Sequence, residues 1–128
     1  MSKKILTAIT LVITFFVLAV CMNANTETFD SGDFSFQINE DGETVTLTKY
    51  LGSDSVVTVP ETVEYEGKSY TVSKLGSRAF YECVNMTKIE IPECVTFIDG
   101  YTFAYCSSLT EISLPKRLDY IGYASFFN

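Results

Sequence analysis

Two stretches of the chain repeat each other at a shift of 23 residues, FYECVNMTKIEIP at 80–92 and FAYCSSLTEISLP at 103–115. The apolar positions stay apolar, while the positions between them change. The matched columns are Leu75/Ile98/Ile121, Phe80/Phe103/Phe126, Met86/Leu109, Ile89/Ile112 and Ile91/Leu114. Such selective restraint is typical of stacked units that bury the same positions against their neighbours. A period in the twenties predicts a solenoid whose coils each hold one short strand and one short helical or turn segment.

Each predicted coil has its own internal pattern. TKIEIP and TEISLP alternate apolar and polar residues, which predicts short strands ending at Pro92 and Pro115, since proline cannot donate to a strand ladder. VTFI and LDYI are predicted to be a second extended piece, and GSRAFYEC and DGYTFAYC a single helical turn. The third copy, YIGYASFFN, stops before its cysteine and strand. We therefore predict an incomplete third repeat and an uncapped C-terminal end. The residues expected near that end are Ile112, Leu114, Ile121 and Phe126.

The segment before the repeats contains two hairpin patterns. FSFQINEDGETVTLTKYLG reads as two alternating strands about residues 39–42, and YEGKSY reads as a second, smaller hairpin. VVTVPETV, at 56–63, matches the strand phase of the repeat. Because a solenoid needs an atypical end unit over its core, we predict an N-terminal β cap and first half-coil at 34–72. Residues 73–128 are then the repeats, and 25–33 a linker.

Residues 1–24 have the layout of a secretory signal peptide. Lys3 and Lys4 precede an apolar, uncharged run from Ile5 to Cys21, and small polar residues follow. A membrane anchor is the alternative, because the run is longer than most signal cores and just short of a spanning helix. Lipidation of Cys21 is not favoured, since Val20 is too large for the position before a lipidated cysteine. Both alternatives place the rest of the chain outside the cytoplasm, secreted or at the cell surface.

The exported part is strongly acidic. Lys3 and Lys4 are two of nine basic residues, so seven basic and sixteen acidic residues follow residue 24, a formal net charge of about −9. Such a surface repels nucleic acid and anionic membranes. The predicted partners therefore exclude nucleic acid, and the only membrane contact expected is an N-terminal anchor.

The residue types argue against an enzyme, a metal site or a small-molecule cofactor. The chain has no histidine, which is the commonest general base and zinc ligand. Cys83 and Cys106 share one repeat phase and are predicted to pack in the interior. A disulfide between adjacent coils fits the spacing of strands but is not required. Cys94 aligns with Arg117, at a phase expected to face solvent.

The repeats resemble the BspA-like leucine-rich repeat family. The resemblance lies in LGSRAFYECVNMTKIEIPECVTFI and IDGYTFAYCSSLTEISLPKRLDYIG, where Ile-Gly, Ala-Phe, Cys, Ser-Leu, Ile-x-Ile-Pro and Val-x-x-Ile recur in that family. It implies a strand-rich α/β leucine-rich-repeat solenoid. Similar proteins are exported or surface-attached, and several are adhesins. The resemblance therefore implies binding of an extracellular or surface protein.

Two candidate surfaces for such binding follow from the pattern. Alternation along the strands puts Val56 and Thr58, Lys88 and Glu90, and Glu111 and Ser113 on one outward face in three successive rows. The second candidate is aromatic: Phe97 and Tyr120 share a column, and Tyr101 and Tyr105 lie on the turn. The alternative for these rings is packing along the flank between coils. The alternative function is structural: the chain is an assembly unit, or a fragment of a longer repeat array, whose open C-terminal coil pairs with another copy or a longer partner.

Overall fold

A computed structural model describes residues 26–128. The signal peptide, the anchor alternative and Cys21 lie outside these residues. The strands are β1 (Thr28–Ser31), β2 (Phe34–Ile38), β3 (Thr44–Tyr50), β4 (Val56–Thr58), β5 (Thr62–Tyr65), β6 (Lys68–Leu75), β7 (Lys88–Glu90), β8 (Phe97–Ile98), β9 (Glu111–Ser113) and β10 (Tyr120–Ile121). Between residues 26 and 128 there is no helix.

The strands form two sheets, and the chain winds between them. One sheet has the order β1-β2-β3-β6-β8-β10, with β5 also paired to β6, and the other has the order β4-β7-β9. Strands of successive coils pair in parallel at the repeat shift, as Ile89 with Ile112 and Ile98 with Ile121. Equal phases therefore stack on one another, which is the solenoid that the repeat predicts.

A column of aromatic rings runs through the coils and is here named the aromatic ladder, Tyr50–Phe80–Phe103–Phe126. Successive ring centroids lie 5.6, 5.4 and 5.3 Å apart. Phe80 and Phe103 are fully buried, whereas Phe126 is 44% exposed. Aliphatic side chains from both sheets, together with Met86 from the loop before β7, complete the same core; they include Leu47, Leu75, Ile89 and Ile98.

The segments predicted as helical turns are trains of β-turns. Their backbone N–H groups alternate between two partners: Phe80 N donates to Thr102 O of the next coil (2.9 Å), and Tyr81 N donates to Arg78 O of its own coil (3.1 Å). A helix would direct every N–H to its own coil, so the bonds between coils replace it. The chain bends at residues with positive φ, which in these segments are Arg78, Glu82, Tyr101, Tyr105 and Ala124.

Two buried hydroxyls occupy the column in which Ala79 stands. Thr102 Oγ1 lies 2.6 Å from Asp99 O and 3.2 Å from Gly76 O, and Ser125 Oγ lies 2.7 Å from Gly122 O. Among the described residues no buried side-chain polar atom lacks a partner. The hydroxyls thus connect backbone carbonyls within and between coils.

We expect Thr102→Val to lower the free energy of unfolding by about 1 kcal/mol, because the substitution keeps the volume and removes a buried hydrogen bond. Urea unfolding followed by circular dichroism measures the change. Thr110→Val is the matched control, because Thr110 is exposed and its Oγ1 lies 3.3 Å from Thr87 O. Equal losses in both variants would contradict a specific role of the buried hydroxyl.

The two predicted hairpins are present and join the larger sheet. β2 and β3 pair antiparallel, as do β5 and β6, the latter pair around Glu66 and Gly67, which both have positive φ. β3 pairs in parallel with β6, so the hairpins and the repeats share one sheet. That the hairpins act as a cap stays a prediction.

The linker predicted at 25–33 is wrong for residues 28–31, which form β1. This strand pairs with β2 and buries Phe29. The Phe29 ring stacks on Tyr65 at 4.1 Å between centroids and lies 5.7 Å from Phe36. One buried aromatic side chain thus anchors a segment that is otherwise polar.

Apolar side chains of the last coil are more exposed than their equivalents in the earlier coils. Within the described residues β9 pairs only with β7 and β10 only with β8, so each strand has one free edge. Ile112 is half-buried; Leu114, Ile121 and Phe126 are 39%, 43% and 44% exposed.

Candidate functional site

The outward side of the three-stranded sheet, here named the strand face, carries the first set of predicted binding residues. Register places Val56, Lys88 and Glu111 in one line and Thr58, Glu90 and Ser113 in a second. The alternating burial of β7 sends Ile89 inward and leaves Lys88 and Glu90 outside. The rows lie as the alternation predicts, and any role in binding stays a proposal.

The strand face carries one ion pair. Lys88 Nζ lies 3.0 Å from Glu90 Oε1 along the same strand. The hydrogen bond to Glu90, with a smaller contribution from Glu111, raises the pKa of Lys88. Both side chains are partly exposed, so solvent screens the pair and its contribution to stability is small. Lys88 and the neighbouring carboxylates remain within reach of a partner's charged groups.

The Phe97 and Tyr120 side chains lie on the other sheet, on β8 and β10. Their rings stack at 4.5 Å with an interplanar angle of 17°, and Lys74 Nζ lies 5.8 Å from the Phe97 centroid. This geometry is packing along the flank, although Tyr120 is still 48% exposed.

Tyr101 and Tyr105 lie on the turn segments and contact other aromatic rings edge to face. Tyr101 contacts Tyr123 at 5.8 Å, and Tyr105 contacts Tyr81 at 5.4 Å. The Arg78 guanidinium lies 5.5 Å from the Tyr81 ring and 5.7 Å from the Tyr101 ring. The sequence analysis did not predict a role for Arg78. Arg78 and Tyr101 share one repeat position, and a cation that alternates with an aromatic residue in the same column is a signal of a cation–π contact.

The eight predicted binding residues therefore do not form one site. Four lie on the strand face, two on the larger sheet and two on the turn segments. Of the three regions, only the strand face presents several charged side chains in straight rows.

Cys83 and Cys106 are neighbours in successive coils. Cys106 is buried, and its Sγ donates to Phe80 O at 2.9 Å. The hydrogen bond between the two thiols and burial together raise the pKa of Cys83, while the same bond lowers the pKa of Cys106. Cys94 is partly buried rather than fully exposed, with Sγ 3.7 Å from Glu61 O, and burial raises its pKa.

An open pocket of about 250 Å³ adjoins Cys83. Its lining includes Tyr50, Asp54, Tyr81, Cys83 and Asn85. The Tyr50 hydroxyl accepts a hydrogen bond from Asp54 N at 3.1 Å. Burial raises the pKa of Tyr50. The pocket gives solvent a path to Cys83.

In the range 26–128, no group of three or more Cys, Asp or Glu side chains is arranged to hold a metal ion. The same range holds no helix long and apolar enough to cross a membrane.

Similar solved structures are bacterial leucine-rich repeat proteins. A leucine-rich repeat protein from Bacteroides capillosus is 37% identical, with a TM-score of 0.71, over 77% of this chain and 73% of that one. A leucine-rich cell surface protein from Faecalibacterium prausnitzii is 32% identical, with a TM-score of 0.70, over 78% and 27%. A leucine-rich repeat protein from T. pallidum is 27% identical, with a TM-score of 0.69, over 79% and 45%. The chain thus spans less than half of the latter two structures.

No curated protein sequence matches the chain. The model of the BspA type leucine-rich repeat region matches residues 57–128, which is more than half of the chain. The match begins at Val57, in β4, the first strand of the parallel three-stranded sheet. The chain belongs to the BspA type leucine-rich repeat family.

Proposed function

We propose that this protein is a non-enzymatic recognition module, secreted or held at the cell surface, that binds an extracellular protein through the strand face. The observation that carries the proposal is the register of the face. It sets Lys88 beside Glu111 and Glu90 beside Ser113 in straight parallel lines, while the inward residues between them are held by the core. One of the similar solved structures is a leucine-rich cell surface protein, which supports the proposed location at the cell surface.

The face is suited to recognition because its chemistry can vary without cost to the fold. Lys88 of one coil corresponds to Glu111 of the next, a reversal of charge at one position. Both side chains are directed outward, so the reversal leaves Ile89 and Ile112 directed inward. Charged rows of this kind set specificity and association rate more than raw affinity.

A binding screen with charge reversals tests the proposal. The chain is immobilised and exposed to a panel of purified extracellular matrix and secreted proteins, with binding followed by biolayer interferometry. We expect Glu90→Lys or Glu111→Lys to weaken binding of a captured protein about tenfold, mainly through a slower association rate, with a clear salt dependence.

Glu64→Lys is the matched control, because Glu64 is an exposed carboxylate on β5 of the other sheet. It should leave the affinity unchanged. A panel without a binder, or a binder that responds to Glu64→Lys and not to the strand-face variants, would overturn the proposal.

A second candidate function, assembly through the last coil, is favoured by an unpaired backbone donor in that coil. Phe80 N and Phe103 N each donate to the following coil, to Thr102 O and Ser125 O. Phe126 N occupies the same phase and makes no backbone bond within the described residues. With the free edges of β9 and β10, it forms a surface that matches a further coil of the same repeat, from another copy or a longer partner.

Light scattering across a range of protein concentrations tests the assembly. We expect a mass above that of the monomer at high concentration and its loss in Ile121→Lys, since Ile121 is 43% exposed at the free edge of β10. Val84→Lys, at a 51% exposed residue outside that surface, is the control. A monomer at every concentration that still binds a protein partner would rule the assembly out.

A further inference from the structure

We propose that Cys83 and Cys106 are a disulfide-forming pair that links two successive coils when the protein meets a small-molecule disulfide. The pair is a covalent modification site distinct from the strand face, and it does not depend on the proposed binding function. An extracytoplasmic location would supply oxidising conditions of the kind in which disulfides persist.

The backbone brings the two cysteines to the separation that a disulfide needs. They occupy one repeat phase in adjacent coils. Glu82 N, next to Cys83, donates at 2.9 Å to Ala104 O, two residues before Cys106. Backbone segments joined by such hydrogen bonds lie about 4.8 Å apart, as paired strands do, within the range of about 4.4–6.8 Å between Cα atoms that disulfides span. The Phe80 and Phe103 rings, three residues earlier, stack at 5.4 Å and show the same spacing inside the core.

The Cys106 side chain already extends to the coil that contains Cys83. Cys106 Sγ donates to Phe80 O at 2.9 Å, three residues before Cys83, and a hydrogen bond between the two thiols contributes to their pKa shifts. Bond formation therefore requires rotation of the two side chains toward each other.

Access to the pair is one-sided. Cys83 is half-buried and lines the open pocket beside Tyr50 and Asp54, whereas Cys106 is 1% exposed. A reagent in solvent thus meets Cys83 first and reaches Cys106 only through it. Cys83 is therefore the attacking cysteine and Cys106 the resolving cysteine.

The reaction is thiol–disulfide exchange in two steps. Cys83 loses its proton to solvent and attacks a small disulfide as a thiolate, forms a mixed disulfide and releases one small thiolate. Because the pKa of Cys83 is raised, this first step limits the rate and speeds up as the pH rises. The Cys106 thiolate then attacks Cys83 Sγ, forms the bond between the coils and releases the second small thiolate. Two protein thiols lose two electrons and two protons, and the small disulfide is reduced to two thiols.

Peptide mapping of the full chain tests the proposal. Reduced protein is incubated with oxidised glutathione, free thiols are alkylated, and a digest with trypsin and chymotrypsin is read by mass spectrometry without reduction. We expect a linked peptide that contains Cys83 and Cys106 and has lost two hydrogens. We also expect the melting temperature to rise by about 10 °C or more, because the link closes a loop in the unfolded chain.

Matched variants separate the pair from other thiols. Cys94→Ser should keep the link and the rise in melting temperature, while Cys83→Ala should abolish both. Free Cys83 and Cys106 after incubation, a stable glutathione adduct on Cys83, or a link that contains Cys94 would each overturn the proposal.

Discussion

Replacement of Phe80 by alanine is expected to lower the free energy of unfolding by about 4 kcal/mol and the melting temperature by about 15 °C or more. Phe80 is fully buried in the aromatic ladder between Tyr50 and Phe103, at 5.6 and 5.4 Å between ring centroids. Loss of the ring removes both stacking partners and leaves a cavity where the hairpins meet the first coil. Chemical denaturation and calorimetry measure the effect.

Phe126→Ala is the matched control, because it removes the same side chain from the same ladder. Phe126 contacts Phe103 at 5.3 Å and is 44% exposed, so its loss should cost only about 1 kcal/mol. Phe80→Leu, which keeps most of the volume, provides a folded variant with an intermediate effect. Equal losses in the free energy of unfolding for Phe80→Ala and Phe126→Ala would contradict the conclusion that the buried rings of the aromatic ladder contribute most of its stability.

Gly122→Ala is expected to detach the last coil, at a cost of about 3 kcal/mol in local stability. A Cβ at Gly122 would lie 2.6 Å from Asp99 C and still closer to Gly100 N. Both atoms belong to the backbone of the preceding coil and cannot turn away as a side chain would. Hydrogen exchange should therefore speed up at the amides of Tyr101 and Phe103, which donate to the last coil.

Ala124→Gly controls for changes in the same coil. Ala124 has a φ of 52°, a conformation in which glycine is not strained, so the protection of Tyr101 and Phe103 should stay at the level of the unsubstituted protein. If Gly122→Ala left both amides protected, the close approach of the two coils would not be a determinant of the stack.

The repeat predicts much of the fold because stacking pairs equal phases. Ile89 lies opposite Ile112 for the same reason that the two residues align in sequence. The pairing of β3 with β6 is a different case, since it joins segments that share no repeat. Phe29 is similar: its partner Tyr65 lies on another hairpin, and no local pattern marks the contact.

The turn segments show where a local pattern is ambiguous. Phe80 and Cys83 are three residues apart, a spacing that a helical turn and a train of β-turns both place on one side. Only the bonds between coils, such as Phe80 N to Thr102 O, decide between them, and those bonds depend on a neighbour. The sequence of a single coil does not show the hydrogen bonds that the coil makes to its neighbour.

The candidate surfaces were predictable to different degrees. Alternation was enough to place Lys88 and Glu90 on the strand face, because side-chain direction in a strand has a period of two. It could not show that Phe97 and Tyr120 stack on each other, since a shared column fixes position and not ring orientation. The contact of Arg78 with two rings also required the bend of the chain.

The alternation of backbone donors in the turn segments limits how these coils can change length. Phe80 N is committed to the next coil and Tyr81 N to its own, so removal of one residue upstream in the turn would exchange their roles. The N–H groups that donate to the next coil would then point into their own turn, and the hydrogen bonds to every following coil would be disrupted. Substitution of an exposed side chain leaves this alternation intact, whereas deletion of a single residue would shift it.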